Sequence, residues 1–142
     1  MTTLRDIMST NVATVSLLDN AYEVAQKMKE LNVGAVPVTD GQNVIGMITD
    51  RDLVLRGYAE KKSGSSAIEG LMTKDLVVGT PDMSVDEAAR LMAEKQIRRL
   101  PVVENGNLVG IVAIGDLAVR NELADEAGEA LSQISKPSQT SM

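Results

Sequence analysis

Apolar and polar positions follow the same course twice along this chain. Residues 11–15, "NVATV", and 76–79, "LVVG", predict short strands. Asn20 with Glu23, and Ser84 with Glu87, have the spacing at which a cap and a glutamate satisfy each other's backbone N–H groups at a helix start. Behind those caps the apolar residues recur every three or four positions. Ala21, Val24, Ala25, Met28 and Leu31 share one helix face, as do Val85, Ala88, Ala89 and Met92. Two further strands flank a Gly/Asn turn in each half, "GAVPVTD-GQN-VIGMIT" and "RLPVVE-NGN-LVGIVA", and Asn105-Gly106 is a strong hairpin signal. A second helix is expected from near Thr49 or Ala113. Each half therefore reads β-α-β-β-α, with both helices packing on one sheet face.

The two halves align without a gap. Ile7 to Arg56 pairs with Leu71 to Arg120 at a constant offset of 64, and 12 of the 50 pairs are identical. These include Met8/Met72, Pro37/Pro101, Gly46/Gly110, Asp52/Asp116 and Arg56/Arg120. Internal repetition marks supersecondary units that bury their apolar faces together. A lone 50-residue copy would bury only about 60% of its unfolded surface, so the two copies are expected to form one core. The predicted fold class is α+β: two β-α-β-β-α repeats related by a pseudo-two-fold axis, with paired clefts between them. The expected divisions are a first repeat over 1–60, a polar connector over 61–70, a second repeat over 71–122, and a helical extension with a frayed tail over 123–142.

Composition narrows the chemistry. Apolar residues make up 44% of the sequence, but aromatics only 1%, with Tyr22 and Tyr58 and no Phe or Trp. The core must be aliphatic and methionine-rich, and no platforms are available for stacking bases. A net charge of -6 repels a phosphate backbone, so nucleic acid is not an expected partner. The sequence has no His and no Cys, which removes imidazole and thiol nucleophiles, disulfides and Cys/His zinc sites. "MTTLRDIMST" is not a signal sequence, and no apolar run is long enough to span a bilayer. The expectation is a cytoplasmic protein with no membrane partner.

The repeat, with "VGAVPV" and "IRRLPVV" entering the hairpin and "GMITDRD" leaving it, resembles the CBS (cystathionine-β-synthase) domain family. Two such repeats in tandem form a Bateman module. The resemblance implies that adenosine-containing ligands (AMP, ADP, ATP or S-adenosylmethionine) occupy clefts between the copies, with no cofactor required. The family's motif is Gly, two apolar residues, Thr or Ser, two residues, then Asp. It is complete at Gly46-Met47-Ile48-Thr49-Asp50-Arg51-Asp52; the second copy, Gly110 to Asp116, keeps the Asp but has Ala113 in place of the hydroxyl. The resemblance implies that Asp52 and Asp116 accept from ribose hydroxyls and that Thr49 helps at ribose and phosphate. It assigns adenine contacts to Met72, Val77, Ile97 and Arg99 in one cleft. In the other it assigns them to Met8, Ala13, Val33 and Ala35. Arg98 and Arg99 are expected to contact phosphate.

Each residue also has a plainer reading. Thr49-x-x-Asp52 is a capping box, though Ala113 cannot cap and Asp116 persists opposite it, which points to a role for the Asp beyond capping. The start of the second helix should offer free N–H groups to a phosphate. Asp52/Arg56 and Asp116/Arg120 are i,i+4 pairs, whose plainer reading is decoration of a helix face. Arg98 and Arg99 suit forked phosphate recognition, or they reach solvent or pair with acidic neighbours such as Glu94. Met28 and Met92 are core fillers.

Three functions compete. The leading one is a non-enzymatic regulatory sensor of adenine nucleotides, acting in trans on an unidentified effector protein. A Mg²⁺-dependent nucleotide-processing enzyme using Asp50 and Asp52 is weaker, because no Walker sequence or activated nucleophile is present. A scaffold with empty clefts is the third. Homodimerisation is expected too, because the helices carrying Val24, Met28, Leu31, Leu91 and Met92 present more apolar surface than one thin core absorbs.

Overall fold

A computed structural model describes residues 2–118. The expected acidic helix over 123–134 and Arg120 lie outside the described residues. The chain resolves into two compact units whose membership crosses the repeat boundaries: 1–11, 77–105 and 109 onward form unit 1, and 12–76 with 106–108 form unit 2. Each unit is mixed α+β.

Unit 2 contains the first repeat. Strand β1, Val15–Ser16, runs parallel to β2, Ala35–Asp40, which pairs antiparallel with β3, Asn43–Thr49. Helix α2, Ala21–Leu31, links β1 to β2. The Asn20/Glu23 box forms as predicted, with Asn20 Oδ1 accepting from Glu23 N–H at 2.8 Å and Asn20 N–H donating to Glu23 at 2.9 Å. Asn32 ends the helix in the left-handed region at φ 54°. After β3 the chain forms α3, Asp50–Asp52, then a π turn, Leu53–Gly57, and a 3-10 turn, Tyr58–Glu60.

Unit 1 repeats much of this. Helix α4, Val85–Lys95, starts at Ser84, whose hydroxyl accepts from Glu87 N–H, and ends at Gln96 with φ 55°. Strands β4, Arg99–Glu104, and β5, Asn107–Ala113, are joined by Asn105-Gly106. Both turn residues have positive φ, 54° and 82°, as the Asn-Gly signal requires. Helix α5 covers Ile114–Ala118. The strand expected at 76–79 is reduced to one parallel bridge, Gly79 to Val102.

The expected single core is corrected to two. One is built from Leu4, Val85, Ala88, Ala89, Met92, Leu100, Val102, Val112, Ile114 and Leu117. The other comprises Val15, Val24, Met28, Val36, Val38, Ile48, Ile68, Leu71 and Met72. Each is closed by a short helical turn that belongs, in sequence, to the other repeat. Helix α1, Leu4–Ile7, lies in unit 1, and the 3-10 turn Ile68–Gly70 lies in unit 2. Leu4 and Ile68 stand 64 residues apart and both are fully buried. A small domain gains its missing apolar area this way without enlarging either repeat.

Two glycines make this closure possible. In unit 2 the exchanged segment adds a bridge to β3, with Met47 N–H donating to Thr73 O at 3.0 Å and Thr73 N–H to Met47 O at 2.8 Å. Met72 then lies across Gly46, where a Cβ would meet its Sδ at 2.8 Å and Thr73 O at 2.9 Å. In unit 1, Ser9 and Ile111 exchange the same two bonds at 2.9 Å, and Met8 Sδ would lie 2.6 Å from a Cβ on Gly110.

The helix faces differ from the pattern in one respect. Ala25 and Leu31 are exposed, while Val24, Met28 and Met92 are absorbed by their own units. Of the residues expected to supply an apolar excess, Leu31 is exposed, while Val24, Met28 and Met92 are buried. Exposed large apolar side chains are Leu18, Tyr22, Leu31, Val54, Leu55, Tyr58 and Val78. Both tyrosines lie outside the cores.

The glycine seats make a direct prediction. Gly46→Ala should destabilise the protein by about 1–3 kcal/mol, because backbone Thr73 O cannot retreat as a side chain would. Gly115→Ala meets open space and should stabilise by about 0.5 kcal/mol. Urea unfolding of both variants gives the comparison.

Candidate functional site

The first repeat's motif lies where β3 passes into α3. Thr49 has extended backbone at φ -118° and ψ 164°, the geometry of an N-cap. Its hydroxyl accepts from Asp52 N–H at 3.0 Å, and its own N–H donates to Asp52 Oδ2 at 3.0 Å. Asp50 N–H donates to Gly34 O at 2.9 Å, and Arg51 N–H to Asp50 Oδ1 at 2.7 Å. The amides of residues 49–52 thus all have acceptors within the unit. This corrects the expectation of free N–H groups waiting for a phosphate: the capping box and the Gly34 carbonyl have taken them.

Two valences remain for a ligand. Among the described residues no hydrogen bond reaches Asp52 Oδ1, and the Thr49 hydroxyl has no acceptor for its proton. The Asp52 side chain is only 15% exposed, with Arg56 Nε 3.9 Å from Oδ1. That distance is an ion pair, too long for a hydrogen bond. A half-buried carboxylate with one oxygen fixed and the other unbonded is suited to hydroxyl donors. Such charge-assisted bonds contribute about 1.5–3 kcal/mol each.

The second repeat closes half of the same box. Ala113 N–H donates to Asp116 Oδ2 at 2.9 Å, and Ile114 N–H donates to Arg98 O at 2.8 Å. The argument that Asp116 opposite Ala113 points to a role beyond capping therefore loses its force, because Asp116 still caps through the backbone. A carboxylate three residues into the helix needs only the backbone N–H of residue 113, so the loss of the hydroxyl leaves its structural work intact.

The other candidate residues divide between the units. Unit 2 holds Thr49, Asp52, Met72, Ala13, Val33 and Ala35; unit 1 holds Asp116, Met8, Val77, Ile97, Arg98 and Arg99. Ala35 pairs directly opposite Thr49 across β2 and β3, and Met72 lies over Gly46 of the motif. Val33 packs half-buried against one core; Met8, Val77 and Ile97 pack against the other. Ala13 is half-buried. Arg98 is exposed and Arg99, opening β4, is half-buried. Among the described residues neither arginine has an acidic partner, so the expected pairing with Glu94 does not form.

Sequence reasoning saw Arg56 only as a helix-face partner of Asp52. Its Nη1 also donates to the carbonyls of Met72, at 3.1 Å, and Leu71, at 3.4 Å. The identity of Arg56 with Arg120 was the available signal.

The chain belongs to the CBS domain family, whose model matches residues 4–57 and 68–120. Among curated proteins it is 49% identical to the uncharacterized protein YlbB of Bacillus subtilis, over 96% of this chain and 93% of that one. Among solved structures it is similar to Hypoxic Response Protein I, described with two coordinated zinc ions, at 37% identity and TM-score 0.77, covering 84% of this chain and 98% of that one. It is also similar to the CBS domain pair of MJ0100, in complex with 5′-methylthioadenosine and S-adenosyl-L-methionine. There the identity is 28% and the TM-score 0.75, over 84% and 94% of the two chains.

Zinc does not fit the residues present here. The sequence offers neither His nor Cys, and the described residues contain no group of three or more potential metal-binding side chains. Nor is any described helix long and apolar enough to cross a membrane.

Two substitutions separate capping from recognition. Thr49→Ala should cost about 1 kcal/mol by orphaning Asp52 N–H. Asp116→Ala should cost about 1 kcal/mol in ligand-free protein by orphaning Ala113 N–H. Denaturant midpoints measured without nucleotide would show both losses; an unchanged midpoint for Asp116→Ala would refute its capping role.

Proposed function

We propose that this protein is a non-enzymatic regulatory module that binds an adenosine-containing ligand, with AMP, ADP, ATP and S-adenosylmethionine as candidates. The observation that carries the reading is Asp52, whose Oδ2 is fixed by Thr49 N–H while Oδ1 has no hydrogen-bond donor among the described residues. The ligands of the MJ0100 pair support the same chemical class. In this reading Asp52 and the Thr49 hydroxyl recognise ribose. Met72, Val77, Ile97 and Arg99 contact adenine beside them, and Arg98 and Arg99, which have no acidic partner among the described residues, receive phosphate, Arg98 on the side of Asp116. Asp116 is the weaker counterpart, with Met8, Ala13, Val33 and Ala35 as its apolar contacts, since Ala113 supplies no hydroxyl. Regulation passes to an effector protein through changed contacts, and the setting is cytoplasmic.

Asp52→Ala should weaken the binding of AMP by about 10–100-fold in calorimetry, at 1.4 kcal/mol per tenfold. Two equal sites, both indifferent to Asp52→Ala, would overturn the assignment. A thermal-shift series over the four ligands identifies which one binds, because ligand at 100 times its Kd adds about 2.7 kcal/mol of stability. No shift with any of them would favour the scaffold reading, for which the fully bonded amides at Thr49–Asp52 are the supporting observation. The double change Arg98→Gly with Arg99→Ala, copying Gly34-Ala35, should weaken ATP and ADP more than adenosine; an equal loss for both would refute phosphate contact.

The same reading includes a homodimer. Leu18, Tyr22, Leu31, Val54, Leu55 and Tyr58 are all exposed on unit 2, with Leu18 at 92% and Tyr58 at 85%. Exposed apolar side chains in such number mark an interface, and a two-fold pair is the commonest way to cover one. Light scattering at micromolar concentration should give twice the mass of one chain; the single-chain mass with and without nucleotide would refute the dimer.

A further inference from the structure

Arg56 touches two things at once. On one side its Nε faces Asp52 Oδ1 at 3.9 Å, and on the other its Nη1 donates to Met72 O and Leu71 O at 3.1 and 3.4 Å. Those carbonyls belong to the exchanged segment that closes the core of unit 2. Immediately after them, Thr73 pairs with Met47, one residue past Gly46 of the motif. Arg56 itself lies in a π turn, Leu53–Gly57, a feature common near functional sites. A planar guanidinium spans such partners because its donors point in fixed and different directions.

We propose that Arg56 is a positioning residue that couples ligand occupancy at Asp52 to the seating of the segment Ile68–Thr73. This rests on the adenosine reading of Asp52. Anchored on the two carbonyls, Arg56 fixes the carboxylate with Oδ1 turned to meet ribose hydroxyls. Coupling between two sites is reciprocal. If the seated segment favours ligand through Arg56, ligand favours the seated segment by the same factor. The segment connects the two repeats in sequence, so its seating is a signal the chain can pass onward.

The test uses the full chain, with AMP as the probe and amide hydrogen exchange at Met47 and Thr73 as the readout. In the unsubstituted protein, saturating AMP should slow exchange at both amides. Arg56→Met keeps the aliphatic stem but none of the donors; it should bind AMP about five- to tenfold more weakly and lose most of the AMP-dependent slowing. Arg56→Lys keeps the charge opposite Asp52 but not the fork. It should recover affinity only in part and leave the slowing impaired. The Arg56 side chain is 51% exposed, so both variants should fold, which their ligand-free unfolding curves verify. Unchanged affinity in Arg56→Met, or equal AMP-dependent slowing in all three proteins, would overturn the coupling while leaving Asp52 as the ligand carboxylate. An unsubstituted protein that binds none of the four adenosine ligands would instead bring down the reading on which the coupling rests.

Discussion

The seat of a methionine on a glycine is the constraint from which the rest of this structure follows. Met72 lies over Gly46 and Met8 over Gly110, and any side chain on either glycine would meet sulfur and a backbone carbonyl at once. Where the glycine is present, a segment from the start of the other repeat can approach the hairpin closely enough to exchange two backbone hydrogen bonds with it. Its preceding helical turn then drops Leu4 or Ile68 into the adjacent core. Lose the glycine, and both the extra pairing and the core closure are strained together. The identity of Met8 with Met72 and of Gly46 with Gly110 is thus one requirement written in two residues.

The two cores meet this requirement with different side chains. In unit 1 the buried position beside Leu4 is Gly79, whose absent Cβ leaves room for Leu4 Cδ1 at 2.8 Å and Leu100 Cδ2 at 3.0 Å. In unit 2 the equivalent position is Val15, buried in a core with Ile68. Close-packed interiors register a single methylene, and in unit 2 the β-branched Ile68, of the same volume as Leu4 but a different shape, packs in the core that holds Val15. An aliphatic interior suits such trading. No aromatic ring enters either core, and the methionines Met28, Met72 and Met92 fill spaces that stiffer side chains would leave open.

The repeat, the helix caps and the Asn-Gly hairpin were legible because each depends on neighbours within a few residues. Asn20 and Glu23 need only each other, and Asn105-Gly106 needs only its own φ angles. Long-range partition was not legible. Nothing local tells Leu4 to join Val85 and Leu100 rather than Val24 and Val36, so one core was expected where two exist. The same limit governs the site. The spacing of Thr49 and Asp52 disclosed the box, but the acceptor for Asp50 N–H is the carbonyl of Gly34, supplied by the other end of the hairpin. Helix α1 was passed over, although Thr3 and Asp6 carry a capping signal, Thr3 N–H donating to Asp6 at 2.9 Å. Four residues is too short a helix for periodicity to register.

What distinguishes the repeats chemically is where each carries its polar groups. The first has a hydroxyl at Thr49 and a small pair, Gly34-Ala35; a side chain at 34 would meet Asp50 Oδ2 at 3.1 Å. The second has no hydroxyl at Ala113 but two arginines in place of the small pair, and Ile114 stands where Asp50 stands in the first. These differences are linked. With Asp50 in the first repeat, a side chain at 34 would crowd its carboxylate; with Ile114 in the second, Arg98 carries a side chain while its carbonyl still accepts from the Ile114 N–H. The second repeat thus carries positive charge at the positions where the first is small, and an apolar residue where the first is acidic. On the proposed reading the first repeat, with Thr49 and Asp52, is the stronger in sugar recognition, and the second offers the basic groups for phosphate.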